Sequence, residues 1–218
     1  TGLTYSVLIE ADRSSKEQIE LLTRSLPELG AQVKLDEVGD RKGKGWAVQK
    51  GILHSEGDYV LFFDADLATD LSVFSLMQKD LGKYDACIAS RDAKGSEYGR
   101  KQPFKRRITH WGARAIIKMM FRLKGVSDTQ CGFKLFRLSV AKKMAQKQLT
   151  MGSAFDVESL YFLQLNGYSI REYPCRWQDD PDSTLSKVAA SSLRFYKDLR
   201  AIKRNKEHYL LSQEEKKC

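Results

Sequence analysis

Apolar residues along this chain fall alternately into short unbroken runs and into helical spacing. Tyr5–Ile9, Tyr59–Phe63 and Ala86–Ala89 are runs of strand length, and Ala31–Leu35 is a weaker one. The run Tyr-Val-Leu-Phe-Phe at 59–63 has the composition of a strand buried on both faces of a parallel sheet. Between the first two runs, Ile19, Leu22 and Leu26 keep helical spacing behind Ser14 or Ser15 as cap, with Pro27 and Gly30 as the stop. Trp46–Ser55, closed by Gly57, and Leu71–Leu81 predict two more helices. This alternation of strand and helix predicts an α/β fold with a doubly wound, mostly parallel sheet flanked by helices.

The second half reads differently. Lys105–Leu123 predicts a long amphipathic helix, with Ile108, Trp111, Ala115, Ile116, Met119 and Leu123 along one side. Val126–Lys134 reads as irregular, and Ser139–Lys147 and Phe155–Leu165 as helices. Ser169–Trp177 reads as a strand, Lys187–Lys206 as a last basic helix, and the remaining residues as a frayed tail.

Charge sharpens this picture. The formal net charge is +9, and Arg100–Lys124 holds nine Lys or Arg with no Asp or Glu. Such a stretch seeks anions: lipid headgroups, phosphates or nucleic acid, unless it is simply a solvated helix face. No apolar run approaches the roughly 20 residues that span a bilayer, so the expected membrane contact is peripheral. Cys87, Cys131, Cys175 and Cys218 form no C-x-x-C pair, which argues against a structural zinc site. His54, His110 and His208 have neither triad nor metal spacing, so histidine-assisted nucleophilic catalysis has no support.

Asp64-Ala65-Asp66 directly follows the strand at 59–63. Ligands of parallel sheets bind at the carboxyl ends of strands. Two carboxylates there can share a hard cation, Mg²⁺ or Mn²⁺, that in turn bridges a diphosphate. Acids also follow strands simply as helix caps, so this pair alone leaves both readings open. Gly43-Lys44-Gly45, before a helix, could bring backbone N–H groups to a phosphate, or form a tight turn with an exposed lysine. The Walker spacing is absent.

Five segments occur in a telling order. They are Gly43-Lys-Gly-x-Ala-Val-x-x-Gly-Ile52, Gly57-Asp-Tyr-Val-Leu-Phe-x-Asp-Ala-Asp-Leu-Ala-Thr69, Ser90-Arg91, Asp128-Thr-Gln-Cys-Gly-Phe-Lys-Leu-Phe136 and Phe155-Asp-Val-Glu158. Together they resemble the family 2 glycosyltransferases of the GT-A (Rossmann-like) fold, within the polyprenyl-phosphate sugar synthases. The fold so implied is a mixed, mostly parallel sheet flanked by helices, with amphipathic interfacial helices. The segments at 64–69 and 128–134 look most like the dolichyl-phosphate β-glucosyltransferase branch. The resemblance spans Tyr5–Leu199, giving a glycosyltransferase domain over 1–199 and a basic tail over 200–218. The family opens with a strand carrying a Pro-x-x-Asn-Glu-like segment that is not found here, so either the sequence is a fragment in which Tyr5–Ile9 matches the second strand, or Tyr5–Ile9 serves as the first with a shortened successor.

The resemblance implies specific roles. Asp12 would contact the base or ribose, and Lys44 would border the donor. Asp64 would lie nearest the nucleotide, with Asp66 as principal metal ligand. Arg91 and Arg106 would face the acceptor phosphate, and Ser186-Lys187 would close over the donor diphosphate. Asp128, Gln130 and Glu158 would line the sugar and acceptor side. The implied reaction is inverting transfer of a hexose, UDP-glucose favoured, from a nucleotide sugar to polyprenyl or dolichyl phosphate. It would take place on the cytosolic face of a membrane with an anionic surface. Ala68, where mannose synthases often carry Gln, leans away from GDP-mannose as donor. A glycosyltransferase acting on a sugar hydroxyl is the rival, with Asp128 or Glu158 as base. A nucleic-acid-binding protein would leave Asp64 and Asp66 without purpose, so nucleic acid is not an expected partner.

Overall fold

The computed structural model describes residues 2–12, 14–29, 32–38, 43–99, 104–178 and 188–217, with backbone alone at 29, 37–38, 104–111, 188–192 and 217. Arg106 therefore lies on a described helix without a described side chain, while Ser186 and Lys187 lie outside the described residues.

Strand β1 (Val7–Asp12) leads through helix α1 (Lys16–Leu29) to β2 (Val33–Val38), which runs parallel to it. Ser15 caps α1 reciprocally with Gln18: each backbone N–H is accepted by the other's side chain. Pro27 does not stop this helix, contrary to expectation, but lies inside its final turn. Helix α2 (Lys44–His54), strand β3 (Tyr59–Phe63), helix α3 (Val73–Met77) and strand β4 (Ala86–Ser90) follow. Next come the short β5 (Glu97–Tyr98), the long α4 (Phe104–Phe121), β6 (Phe133–Arg137), α5 (Leu138–Lys147) and α6 (Phe155–Leu165). β7 (Ile170–Pro174), β8 (Arg176–Trp177), α7 (Val188–Arg204) and α8 (Gln213–Lys217) complete the described chain.

The main sheet has the order β3-β6-β4-β7. β6 runs antiparallel to both β3 and β4, whereas β4 and β7 are parallel. Three of the four strands thus share a direction and one is reversed, a mixed α/β sheet. A mixed, mostly parallel sheet is what the resemblance implied; which strand is reversed was not foreseen, because β6 begins inside the segment 126–134 that read as irregular. β3 was expected to be buried on both faces, but it is only half-buried. Its sole ladder partner among the described residues is β6, so it is an edge of this sheet.

Successive side chains of β4 feed two cores on opposite faces, as the pleat requires. Ala86 and Ile88 join a cluster with Phe121, Phe136, Leu160, Phe162, Leu199 and Ile202. Cys87 and Ala89 join Val73, Met77, Phe133 and Leu135. α2 packs on β1 and on α5, and α5 packs on β3 and β6, so one helical layer spans the β1–β2 pair and the main sheet.

The end of the chain is not a frayed tail. The boundary expected at 199 falls inside α7, and Ile202, Tyr209 and Leu211 belong to the first core. Tyr209 donates its hydroxyl to Glu158 Oε1 at 2.6 Å, and Asn166 receives the Leu211 N–H at 2.8 Å.

Candidate active site

Asp64 stands one residue beyond β3, and its backbone N–H donates to the Gly132 carbonyl at 3.0 Å. This bond continues the β3–β6 ladder and brings the loop before β6 against the Asp64 side chain. A Cβ built on Gly132 would fall 2.0 Å from Asp64 Oδ2, so no other residue fits there without moving the carboxylate. Lys44, the first residue of α2, grips Asp64 from the other side, with Nζ 2.7 Å from Oδ1 and 3.0 Å from Oδ2. Burial alone would pull the Lys44 ammonium down. Asp156 and Asp64 outweigh it and hold the group above its ordinary value, so it stays charged.

The chain then turns tightly. Asp66 Oδ1 accepts the Ala68 N–H at 3.0 Å, and Leu67 between them adopts φ 52° without being glycine. Left-handed backbone at a non-glycine residue is held only where its surroundings demand it, and such strain gathers at binding sites. Leu67 is half exposed at 52%, and the Asp66 carboxylate also faces solvent. Two acids at a strand end, one fixed by a lysine and one open, fit a divalent ion that keeps waters and takes further oxygens from a diphosphate.

The glycines around Lys44 serve a different end from the one expected. A Cβ on Gly43 would lie 2.4 Å from the Met151 carbonyl oxygen, and one on Gly45 would lie 2.6 Å from that of Thr150. The Trp46 N–H donates to the Gly43 and Met151 carbonyls. These glycines admit the 150–152 backbone, whose carbonyls would repel a phosphate. What reaches the site is the Lys44 side chain.

Arg91 and Asp128 were expected as separate site groups, but they are bound to each other. Arg91 donates from Nε to Asp128 Oδ2 at 2.6 Å, from Nη2 to Oδ1 at 2.8 Å and from its backbone N–H to Oδ2 at 3.0 Å. Asp128 is 1% exposed. Burial alone would raise its carboxyl, yet the hydrogen bonds and charge of Arg91 hold it well below the usual carboxylate range. Glu172 on β7 fixes the loop beneath, accepting the Ser127 and Asp128 N–H groups at 2.7 and 3.0 Å. Gln130 donates its N–H to Asp128 Oδ1 at 3.1 Å, so it belongs to the same knot.

Glu158 is equally committed. It accepts the Leu149 N–H at 2.8 Å, the Thr150 N–H at 2.9 Å and the Tyr209 hydroxyl, all within the core. It holds the loop that packs on Gly43 and Gly45. Asp12 ends β1 and is partly buried.

One group was missed from the sequence. Lys134 on β6 is 1% exposed, forms a short ion pair with Asp156 and donates to the Cys131 carbonyl at 2.6 Å. Its Nζ lies 5.9 Å from the Phe62 ring centroid and that of Lys44 lies 5.3 Å from it, so two ammonium groups lie against this one ring. The apolar alternation of Phe133, Leu135 and Phe136 around a lysine was the available signal.

The glycosyl transferase family 2 model matches residues 1–145. The chain belongs to glycosyl transferase family 2. Among curated relatives in that family, dolichyl-phosphate beta-glucosyltransferase of Dictyostelium discoideum is 30% identical over 207 residues, 92% of this chain and 63% of its own length. The Saccharomyces cerevisiae protein of the same name is 30% identical over 86% of this chain and 59% of its own. The Homo sapiens one is 29% identical over 84% and 59%. The chain therefore spans about three fifths of the length of these relatives. Among solved structures, glucosyl-3-phosphoglycerate synthase of Mycobacterium tuberculosis, in complex with Mn²⁺ and UDP-glucose, superposes with a TM-score of 0.62 at 16% identity. That match covers 90% of this chain and 67% of the other. The fold is GT-A, as the sequence motifs implied.

Proposed function

We propose that this chain carries the catalytic domain of an inverting glucosyltransferase, moving glucose from UDP-glucose to dolichyl or another polyprenyl phosphate. One observation favours a phosphate acceptor over a sugar hydroxyl. The three buried acids that could serve as base, Asp128, Asp156 and Glu158, are each consumed by other groups. A hydroxyl nucleophile needs a base to take its proton. A lipid phosphate is already anionic near neutral pH and needs only positioning. The names of the curated relatives point the same way.

In this reading an oxygen of the lipid phosphate attacks the anomeric carbon in line. The bond to the donor diphosphate breaks, and its electron pair leaves with the nucleoside diphosphate, inverting the sugar. Asp66 and Asp64 would hold Mg²⁺ or Mn²⁺, whose charge stabilises the leaving diphosphate. Lys44 holds Asp64 in place, and Gly132 keeps room for it. Asp12 borders the nucleotide. Asp128 is a positioning residue for the Arg91 guanidinium, which with Arg106 we assign to the acceptor phosphate. Ser186 and Lys187 are assigned to the donor diphosphate.

The acceptor implies a membrane surface on its cytosolic side. No helix among the described residues is long and apolar enough to cross a membrane. Exposed Met119 on α4 and Leu193 and Tyr196 on α7 lie on helices that carry Lys118, Arg200 and Arg204. Apolar tips among basic residues suit an anionic headgroup layer, each nearby cation contributing about 1 kcal/mol.

The test incubates the chain with Mn²⁺, a polyprenyl phosphate and a panel of UDP- and GDP-sugars. Lipid-linked glucose from UDP-glucose supports the reading. Transfer from GDP-mannose alone, or to a sugar hydroxyl and not to the lipid phosphate, overturns it.

A further inference from the structure

A second cluster of ligating side chains lies at the other end of α2. Glu10 and Asp36 are paired neighbours on the parallel strands β1 and β2. Above them α2 presents Lys50 and His54, one turn apart on the same face. Glu10, Asp36 and His54 each bring one donor atom within 4.8 Å of the others.

The arrangement is built around a charge. Glu10 is pinned under α2, where a Cβ on Gly51 would lie 3.2 Å from its Cγ. Its side chain is 10% exposed, and neither carboxylate oxygen has a hydrogen-bond partner. A buried ionised group without such partners is costly unless a cation answers it. Lys50 answers only in part, with Nζ 2.6 Å from Asp36 Oδ1 but 4.0 Å from Glu10 Oε2. His54 Nδ1 lies 3.5 Å from Asp36 Oδ2, and its ring is 57% exposed, so the cluster opens to solvent on that side.

The geometry points to a second, non-catalytic metal site in which Glu10, Asp36 and His54 ligate Zn²⁺ in the place Lys50 now holds. Two carboxylates and one imidazole suit zinc, with water completing four-coordination, while magnesium and calcium prefer oxygen alone. For a metal to enter, the Lys50 ammonium must give up its ion pair with Asp36 and its place 5.5 Å from the Trp46 ring centroid. The site is distinct from Asp64 and Asp66. Lys44, which binds Asp64, precedes His54 by ten residues on one helix, about 15 Å of axial rise. A metal here would clamp β1, β2 and α2 together.

The test titrates Zn²⁺ alone calorimetrically into the whole chain carrying Asp66→Ala, so that no sugar transfer enters the readout. One Zn²⁺ is expected to bind and to raise the melting temperature. Adding His54→Ala, an exposed change checked for folding by circular dichroism, is expected to weaken binding by more than about tenfold. Adding Lys50→Met is expected to tighten it by removing the competing ammonium. No binding in the Asp66→Ala background, equal affinity after His54→Ala, or weaker binding after Lys50→Met would each overturn the site.

Discussion

At the residue scale, the site depends on a few contacts that leave no slack. Asp66 is exposed and its carboxylate holds only a local turn. Asp66→Ala is expected to abolish lipid-linked product while leaving the circular dichroism spectrum and melting temperature close to wild type. Retained turnover would count against the metal assignment. Gly132→Ala is a subtler probe, because its Cβ would fall on Asp64 Oδ2 and displace the carboxylate from Lys44. Turnover should fall at least about tenfold, as misplacement of a charged group by about 1 Å can cost more than that. Wild-type rates in this variant would remove Asp64 from the chemistry. Asp128→Asn should act chiefly on stability, since it strands the buried Arg91 charge, at about 3 kcal/mol in urea unfolding. The sign with pH follows from the lowered carboxyl. The contribution is complete above the ordinary value of 3.8 and fades only as pH falls towards the depressed folded value. A pH–rate profile near neutrality should therefore show no ionisation of Asp128.

At the scale of elements, the end of the chain offers the sharpest test. Deleting residues after Arg204 would remove Tyr209 and Leu211 from the core and leave Glu158 without its hydroxyl donor. Such a deletion should unfold the domain or lower its melting temperature steeply, whereas a dispensable tail would leave it unchanged. The contrast explains what was legible in the sequence. Phe155–Leu165 matched α6 residue for residue, and Tyr59–Phe63 matched β3, because an apolar run and its stop signals are local. β6 was missed because Lys134 occupies a buried position, and lysine reads as solvent-facing unless its partner is known. That partner, Asp156, lies 22 residues away. The tail was misread for the same reason, since its anchors, Tyr209 to Glu158 and Leu211 to Asn166, are 51 and 45 residues distant. Motif order singled out Asp64, Asp66 and Lys44, and the structure brings Lys44 onto Asp64. The Arg91–Asp128 lock was not, because two motifs 37 residues apart do not announce that they satisfy each other.

At the scale of the whole molecule, a mixed sheet delivers acids from one strand end to a solvent-facing turn, and the proposed membrane contact is made by the basic helices α4 and α7. Vesicles containing anionic lipid should sediment the chain, and raising the salt from about 0.1 to 1 M should release it as the Debye length shrinks. Replacing Met119 and Leu193 by Asp should weaken that binding without altering the fold, both side chains being exposed. Binding unaffected by either change would place the membrane surface elsewhere. In the proposed reaction Asp64 and Asp66 hold the metal that carries the donor diphosphate. Calorimetric titration of UDP-glucose with and without Mn²⁺, into wild type and Asp66→Ala, tests it most directly. Tight binding is expected of wild type only with Mn²⁺ present, and none of the variant under either condition. Equal, metal-independent binding by both proteins would contradict it.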